Sequence, residues 1–454
     1  MGVTFVSFGG AGAVTGSRHL IECGREHILT DCGMFQGLKV LRERNWEPFP
    51  APPESISSVV LTHAHLDHCG YLPKFVREGF AGRIHCTRAT ADLAEILLKD
   101  SAHIAEKDAE YANRKGFSRH QPALPLYTVA DAERALQLFD TAPFDTDVDV
   151  APGVKFRFRR AGHILGAAIV EYRVDGLKIV FSGDLGRYGD PFMHDPQCVA
   201  SADYVVVEST YGDRLHPKED AMDALGDAIE RTVQRGGTVI IPAFAVGRAQ
   251  ILLYHLWRLR QSGRLGSTPV YLDSPMAIDA TDLLARHPLD HRFDAGATQG
   301  ACRVAAYARD VRSSKEITAN PMPKVVIAGS GMATGGRVLH HIRTFAPDPR
   351  NLILFTGFQA PGTRGARLLA GERELKMFGE WVPIRAEIAD LPQLSAHADA
   401  DELMRWLRGF DRPPRRLFIV HGEPIASEAL RTRVQRELEW DVRVVDPMRR
   451  YRLD

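Results

Sequence analysis

The stretch "SSVVLTHAHLDHCGYLP" (residues 57–73) places three histidines and an aspartate within six positions, directly after a short apolar run. An apolar run rich in Val predicts a buried strand, and the polar residues after it lie at the strand's carboxyl end, where α/β folds build their sites. Imidazole and carboxylate groups are the ligands that Zn²⁺ and similar ions prefer. His63, His65, Asp67 and His68 therefore predict a metal site.

Three other positions repeat the pattern of an apolar strand followed by an isolated His or Asp in a Gly-containing turn. They are His163 in "RRAGHILGA", Asp184 in "KIVFSGDLG" and His421 in "RRLFIVHGE". Each is weak evidence alone, because Asp in a Gly-containing turn is ordinarily a turn former. Four ligand-type residues in one short loop cannot all bind one ion at unstrained geometry, so these three positions are candidates to complete the site.

The rest of the chain predicts an α/β fold. Short runs rich in Val and Ile recur along its 454 residues, with helical patterns between them at 87–114, 221–236 and 247–263. That alternation is typical of buried strands packed against helices. The length predicts two or three domains.

The amino-acid composition excludes few classes of function. Lys+Arg and Asp+Glu both number 57, so the net charge of zero argues neither for nor against a nucleic-acid partner. Six cysteines without a CxxC pair indicate free thiols in a reducing compartment. No apolar run reaches the length of about 18 residues that a membrane helix needs. We expect a soluble, cytoplasmic protein without a membrane partner.

These motifs, together with Asp31 in "ILTDCGMFQG", resemble the metallo-β-lactamase fold, an αββα sandwich. The resemblance implies one ion held by His63, His65 and His163, a second held by Asp67, His68 and His421, and Asp184 bridging both. Asp31 would fix the site through hydrogen bonds from behind the ligands. Two Zn²⁺ ions are expected, with Mn²⁺ as the alternative, and a bridging hydroxide would be the nucleophile.

The long separation between Asp184 and His421 predicts an inserted domain. We place it at 209–390, with the metallo-β-lactamase domain divided between 1–208 and 391–454. This organisation resembles the β-CASP branch of the superfamily, whose members are nucleases, and in particular the prokaryotic homologues of the pre-mRNA 3′-end cleavage endonuclease subunit. The motifs that carry this likeness are "VVVESTYGDR" with Glu208, "LPQLSAHADADEL" with His397, and "FIVHGE".

The β-CASP resemblance implies a function. His397, paired with Glu208, would protonate the leaving group, and the implied catalytic residues are Asp67, Asp184, Glu208 and His397. A histidine at position 421 is associated with the RNA-cleaving branches. We therefore expect a metal-dependent ribonuclease, mainly endonucleolytic, that acts on single-stranded RNA.

Two Gly-rich turns of the inserted segment, in "KVVIAGSGMATGGRVLHHI" and "NLILFTGFQAPGTRGARLL", are candidate phosphate contacts. Each joins a predicted strand to a predicted helix, and backbone N–H groups at a helix N-terminus can bind anions. The candidate substrate-binding residues are Ser330, Gly331, Thr334, Gly335, Gly336, Arg337 and Arg364.

Other functions remain open at this point. A 5′–3′ exoribonuclease or a DNA nuclease would use the same fold and ligands. A catalytically silent RNA-binding scaffold subunit is the alternative from another class, although every expected ligand is present. A small-molecule hydrolase would give no reason for the inserted domain. The resemblance also leaves a homodimer open.

Overall fold

The computed structural model describes residues 2–116, 118 and 120–454. The described chain divides into two compact units, Met1–Leu215 with His397–Asp454 as unit 1 and His216–Ala396 as unit 2. The domain limits expected from the sequence, at 208/209 and 390/391, stay a prediction.

The strands are short and mostly buried. They are β1 Val3–Gly9, β2 Arg18–Cys23, β3 Glu26–Thr30, β4 Ser58–Val60, β5 Arg83–Cys86, β6 Phe139–Thr141, β7 Asp147–Ala151, β8 Val154–Arg160, β9 Ala168–Val174, β10 Leu177–Phe181, β11 Tyr204–Val207, β12 Val239–Pro242, β13 Val270–Asp273, β14 Ala306–Tyr307, β15 Val325–Ala328, β16 Leu352–Phe355, β17 Glu374–Met377, β18 Glu380–Pro383, β19 Glu387–Asp390, β20 Arg416–Ile419, β21 Val442–Val444 and β22 Arg450–Leu453.

The helices lie between these strands. They are α1 Lys39–Glu43, α2 Leu66–Cys69, α3 Leu72–Arg77, α4 Arg88–Lys115, α5 Val129–Leu136, α6 Ala221–Gln234, α7 Arg248–Gln261, α8 Pro275–Asp282, α9 Ala295–Arg303, α10 Val311–Ala319, α11 Val338–Phe345, α12 Arg364–Leu369, α13 Ala400–Leu407 and α14 Pro424–Leu438. The three helices predicted from periodicity are confirmed as α4, α6 and α7.

Unit 1 is a sandwich of two sheets. One has the strand order β22-β1-β2-β3-β4-β5-β6 and the other β21-β20-β11-β10-β9-β8-β7. Their inner faces share one apolar core, in which the ring of Phe5 lies 5.8 Å from that of Phe181 and 5.2 Å from that of Phe418. Alternating side chains of both sheets are thereby removed from water, which is the main stabilisation of such a sandwich.

Strand direction gathers several loops of unit 1 at one edge. Strands β10, β11 and β20 are mutually parallel, and β8 runs in the same direction because it and β10 are both antiparallel to β9. In the other sheet β3 and β4 are parallel. The loops that leave the carboxyl ends of strands sharing a direction meet at one edge of a sheet.

Unit 2 is built on a parallel sheet with the order β14-β13-β15-β12-β16-β19. Its strands read as continuous apolar runs, as expected where a sheet is covered on both faces. Ile342 and Phe345 of α11 and Leu368 of α12 pack in the same core as the sheet residues, and so do the inward residues of the hairpin β17–β18. The α/β class predicted from the sequence is confirmed.

Across the part of the chain that the structure describes, no helix combines the length and apolar character needed to cross a bilayer.

Candidate metal centre and active site

Four side chains of unit 1 converge on one point at the edge of the sandwich. Nδ1 of His65 lies 3.2 Å from Nε2 of His63 and 3.2 Å from Nε2 of His163. Oδ2 of Asp184 lies 3.5 Å from Nε2 of His63 and 3.6 Å from Nε2 of His163. These residues follow β4, β8 and β10, so the fold brings their loops together. The group is of a kind that could hold a metal ion.

A second group of ligand-type atoms adjoins the first. Nε2 of His68 lies 3.2 Å from Nε2 of His421, and Oδ2 of Asp67 lies 3.5 Å from that same nitrogen of His421. Asp184 faces this group with its other oxygen, Oδ1, which is 3.3 Å from Nε2 of His68. The carboxylate of Asp184 is therefore shared by both groups, an arrangement that suits a ligand bridging two ions.

Backbone conformation and a buried hydrogen bond orient these ligands. Asp31 and His421 both adopt the left-handed region, with φ of 60° and 47°, a conformation unusual for residues other than Gly. Nδ1 of His68 donates to Oδ2 of Asp31 at 2.7 Å, and Oδ1 of Asp31 accepts the N–H of Thr62 at 2.7 Å. When the proton of His68 at Nδ1 is held by Asp31, Nε2 is the nitrogen that can offer a lone pair to a metal ion.

Glu208 and His397 lie beside the first group. Nδ1 of His397 is 3.3 Å from both carboxylate oxygens of Glu208 and 4.0 Å from Oδ2 of Asp184. The ring of His397 lies 4.4 Å from that of His163, between centroids. Glu208 is fully buried, and its Oε1 accepts the N–H of Leu185 at 2.6 Å. The side chain of His397 keeps 16% of its surface exposed, so its ring is the member of the pair that solvent can reach.

Comparison with known proteins agrees with this arrangement. Three family models match successive parts of the chain: the metallo-beta-lactamase superfamily over residues 12–233, the Beta-Casp domain over 249–368, and the Zn-dependent metallo-hydrolase RNA specificity domain over 381–445. Ribonuclease TTHA0252 of Thermus thermophilus is 38% identical over 425 residues, which cover 92% of this chain and 93% of the relative. The chain belongs to the β-CASP branch of the metallo-β-lactamase superfamily. The resemblance inferred from the motifs is confirmed, and this β-CASP protein is a hydrolase.

Other relatives extend the same comparison. Transcription termination factor FttA of Methanosarcina mazei is 32% identical across 99% of this chain and 72% of the relative. An RNase J-like protein of Methanocaldococcus jannaschii is 28% identical across 90% of this chain and 89% of the relative. A solved protein of unknown function from Enterococcus faecalis V583 aligns over 100% of both chains with a TM-score of 0.55 at 12% identity, which supports the fold alone.

The donor set of the β-CASP protein fits a metal cofactor. Tetrahedral Zn²⁺ with Zn–N bonds of about 2.0–2.1 Å requires ligand nitrogens about 3.3 Å apart, close to the 3.2 Å that separates His65 from His63 and from His163. Oδ1 of Asp184 is buried and has no hydrogen-bond partner among the described residues. A buried carboxylate oxygen in that position is costly unless a cation compensates it.

Burial and neighbouring charges set the protonation of these groups. Burial lowers the pKa of His63 well below its usual value and that of His65 to about 4, so both rings are neutral near pH 7. Burial alone would raise the pKa of Asp184, but the surrounding imidazoles, His421 foremost, hold it well below its usual value. The ionised carboxylate of Asp184 and the neutral rings of His63 and His65 are in the protonation states that metal binding requires. Burial alone would lower the pKa of His68, but the charges of Asp184 and Asp31 raise it well above its usual value, so a metal ion must displace a proton from that ring.

The pKa of His397 is raised rather than lowered. Burial alone would lower its pKa, but the charge of Glu208 and the hydrogen bond to it, with the charges of Asp184 and Asp67, raise the pKa above its usual value. The ring therefore favours the imidazolium form more than an isolated histidine would.

The predicted substrate-binding residues lie in unit 2, and both predicted arginines are engaged by the protein itself. Arg337 donates to Asp273 at 2.7 Å and to the carbonyls of Ala308 and Arg309 at 2.9 and 2.8 Å. Arg364 donates to the carbonyl of Thr334 at 2.9 Å. In these positions the guanidinium groups brace the turns between strand and helix.

The Gly-rich turn itself carries its own internal bonds. Oγ of Ser330 accepts the N–H groups of Thr334 and Gly335 at 3.0 and 3.2 Å. Thr334 and Gly336 are exposed, whereas Gly331 is buried against Phe244. The substrate-binding role of this turn, formed by 329–337, stays a prediction.

The sequence did not predict two residues that position the site. One contacts Asp31, and the other contacts the loop that carries Asp184. Thr62 bonds Asp31 through both its N–H and its hydroxyl, but a threonine at the end of an apolar run carries no signal of its own. Glu402 belongs to the pattern Asp-x-x-Glu that begins α13 just after His397. That pattern is readable from sequence as a helix-capping motif.

Proposed function

We propose that this metal-dependent nuclease is a ribonuclease that hydrolyses internal phosphodiester bonds of single-stranded RNA. The observation that carries the proposal is the position of His397, which adjoins both Asp184 and Glu208 at the edge of two ligand groups. The match to an RNA specificity domain at 381–445 and the ribonuclease relative support RNA as the substrate.

The residues present would hold two ions. His63, His65 and His163 would bind one, Asp67, His68 and His421 would bind the other, and Asp184 would bind both. When bound, such ions activate a water molecule near neutral pH and neutralise the charge that develops on a phosphate. The N and O donors suit Zn²⁺, and Mn²⁺ is the alternative for the same donors.

The remaining chemistry falls to protein side chains. Glu208 accepts from Nδ1 of His397, which leaves Nε2 of that ring to carry a transferable proton. As the bond between phosphorus and the 3′ oxygen breaks, His397 gives this proton to the 3′ oxygen. The products are an upstream 3′-hydroxyl and a downstream 5′-phosphate. Asp31 keeps His68 oriented throughout, because its carboxylate holds Nδ1 of that ring.

The test compares metal-loaded wild type and Asp184→Ala on a covalently closed circular RNA, on the same RNA in linear form with a 5′-triphosphate or 5′-monophosphate, and on single-stranded DNA of the same sequence. We expect wild type to linearise the circle and to make internal fragments regardless of the 5′ group, and Asp184→Ala to make none.

Each of the other outcomes would contradict the proposed function and favour a different one. A circle left intact while linear RNA yields mononucleotides would identify a 5′–3′ exoribonuclease. Faster cleavage of DNA would identify a DNA nuclease. No cleavage of any substrate by zinc- or manganese-loaded wild type would favour the RNA-binding scaffold.

A further inference from the structure

The helix that follows His397 begins with a reciprocal capping box. Asp399 precedes α13, and its Oδ1 accepts the N–H groups of Asp401 and Glu402 at 2.9 and 3.0 Å. Oε2 of Glu402 accepts the N–H of Asp399 at 3.0 Å in return. Such a box fixes the direction in which the chain enters a helix. Here the chain that enters is the segment that carries His397, two residues before Asp399.

Glu402 has a second partner that a capping box does not require. Its Oε1 accepts the N–H of Tyr188 at 2.9 Å, in the loop that carries Asp184. The side chain of Glu402 is 15% exposed, and Nε of Arg187 lies 3.6 Å from its Oε2. A single carboxylate thus binds the backbone N–H of Asp399, in the segment that carries His397, and that of Tyr188, in the loop that carries Asp184.

A backbone hydrogen bond connects the same two loops next to His397 and Asp184. The N–H of Ala398, next to His397, donates to the carbonyl of Leu185, next to Asp184, at 2.8 Å. The N–H of Leu185 donates to Glu208 at 2.6 Å. The two loops are therefore linked by Glu402 at one end and by Ala398 at the other.

We propose that Glu402 is a positioning residue that holds His397 in place relative to Asp184. The inference rests on the proposed function, because it concerns the proton that His397 gives to the leaving oxygen. A displacement of about 1 Å at a reacting group can cost about 100-fold in rate. The partners of Glu402 described above are Asp399, Tyr188 and Arg187 and include no candidate metal ligand, so we expect its loss to act by shifting the ring of His397.

The experiment uses two RNA substrates that differ at one bond. In the first, the scissile linkage is an ordinary phosphodiester, and in the second a sulfur replaces the bridging 3′ oxygen. The thiolate leaves without protonation, so the second substrate does not need a general acid. Single-turnover rates are measured on both for metal-loaded wild type and for Glu402→Ala, Glu402→Gln and His397→Ala, with the zinc content of each protein determined.

We expect Glu402→Ala to lower the rate on the ordinary RNA by about 10- to 100-fold and to stay within about threefold of wild type on the sulfur-containing RNA. Glu402→Gln keeps the volume of the side chain but only one acceptor oxygen, so its rate on ordinary RNA should lie between those of wild type and Glu402→Ala. Zinc content should equal that of wild type in both variants.

The matched control is Asp131→Ala. Asp131 plays the same double role away from the site, because it accepts the N–H of Thr128 in the capping box of α5 and also pairs with Arg77 at 3.1 Å. Its loss should lower thermal stability without any difference between the two substrates.

The outcomes separate the inference from the proposed function. If His397→Ala and Glu402→Ala both recover on the sulfur-containing RNA, the positioning role stands. If His397→Ala recovers but Glu402→Ala is slowed equally on both substrates, or on neither, the role of Glu402 is wrong. If His397→Ala does not recover, the general-acid role of His397 fails, and the inference about Glu402 fails with it.

Discussion

The carboxylate of Asp31 lies 2.7 Å from Nδ1 of His68, and this contact decides which nitrogen of the ring faces the other ligands. Asp31→Asn is the informative substitution, because Asn tolerates the left-handed backbone at this position. An amide accepts the His68 proton less strongly than a carboxylate does. We expect metal affinity to fall by about 10- to 100-fold, measured by competition with a zinc chelator.

The control for this prediction is Glu78→Gln, a carboxylate bonded to Lys74 and Tyr71. It should leave the metal affinity unchanged. An Asp31→Asn protein with wild-type metal affinity would contradict the orienting role.

Asp184 should be indispensable to both ligand groups. Its two oxygens face different groups, so Asp184→Ala removes one donor from each. We expect less than two bound zinc ions per chain by elemental analysis and a loss of RNA cleavage of at least about 1,000-fold. Added zinc should raise the melting temperature of wild type, because an ion that binds only the folded state stabilises it. That rise should shrink in Asp184→Ala, and an equal rise in both proteins would contradict the shared ligand.

The ligand residues could be found from sequence because each follows an apolar strand, and a strand end is a local pattern. That they meet depends on strand order, since β20 pairs with β11 although all of unit 2 lies between them in the sequence. No local sequence pattern predicts that pairing. The prediction that these ligands form one site came from the resemblance to the metallo-β-lactamase fold.

Supporting residues were harder to predict for a different reason. Arg337 in a Gly-rich turn suggested an anion contact, but its partner Asp273 ends β13 in another part of the sequence. Whether an arginine binds a ligand or a buried carboxylate depends on what the fold places beside it. Thr62 and Glu402 likewise gain their roles only from the loops that pack against them.

Arg337→Ala tests whether that arginine is structural. Asp273 is fully buried and is bonded by Arg337, by His341 at 2.7 Å and by Ser314 at 2.5 Å. Removal of Arg337 leaves a buried carboxylate with one charged donor fewer, and we expect about 2–3 kcal/mol of lost stability in urea denaturation.

Arg367→Ala is the matched control, since Arg367 forms an exposed ion pair with Glu372. Its effect should stay below about 1 kcal/mol. If Arg337→Ala keeps wild-type stability but weakens binding of single-stranded RNA, Arg337 contacts the substrate as the sequence suggested.

The stability of unit 2 should depend on pH through His255 of α7. This side chain is 7% exposed, and burial lowers its pKa to about 4, with Asp220 opposing the shift and the charges of Arg248 and Arg258 adding to it. In the unfolded chain an imidazole takes up its proton near pH 6.5. The unfolded state therefore binds more protons between about pH 6.5 and 4, so the stabilisation is complete above pH 6.5 and is lost as the pH falls toward 4.

His255→Phe removes this titration and keeps a buried ring. Nδ1 of His255 has no hydrogen-bond partner among the described residues, so Phe gives up no bond at that atom. Between pH 7.5 and pH 5 the free energy of unfolding of wild type should fall by about 2 kcal/mol more than that of His255→Phe. Urea denaturation of the metal-free proteins at both pH values measures the difference. His103→Gln, at an exposed position of α4, should behave like wild type, and parallel pH profiles for wild type and His255→Phe would show that His255 is protonated equally in the folded and unfolded states.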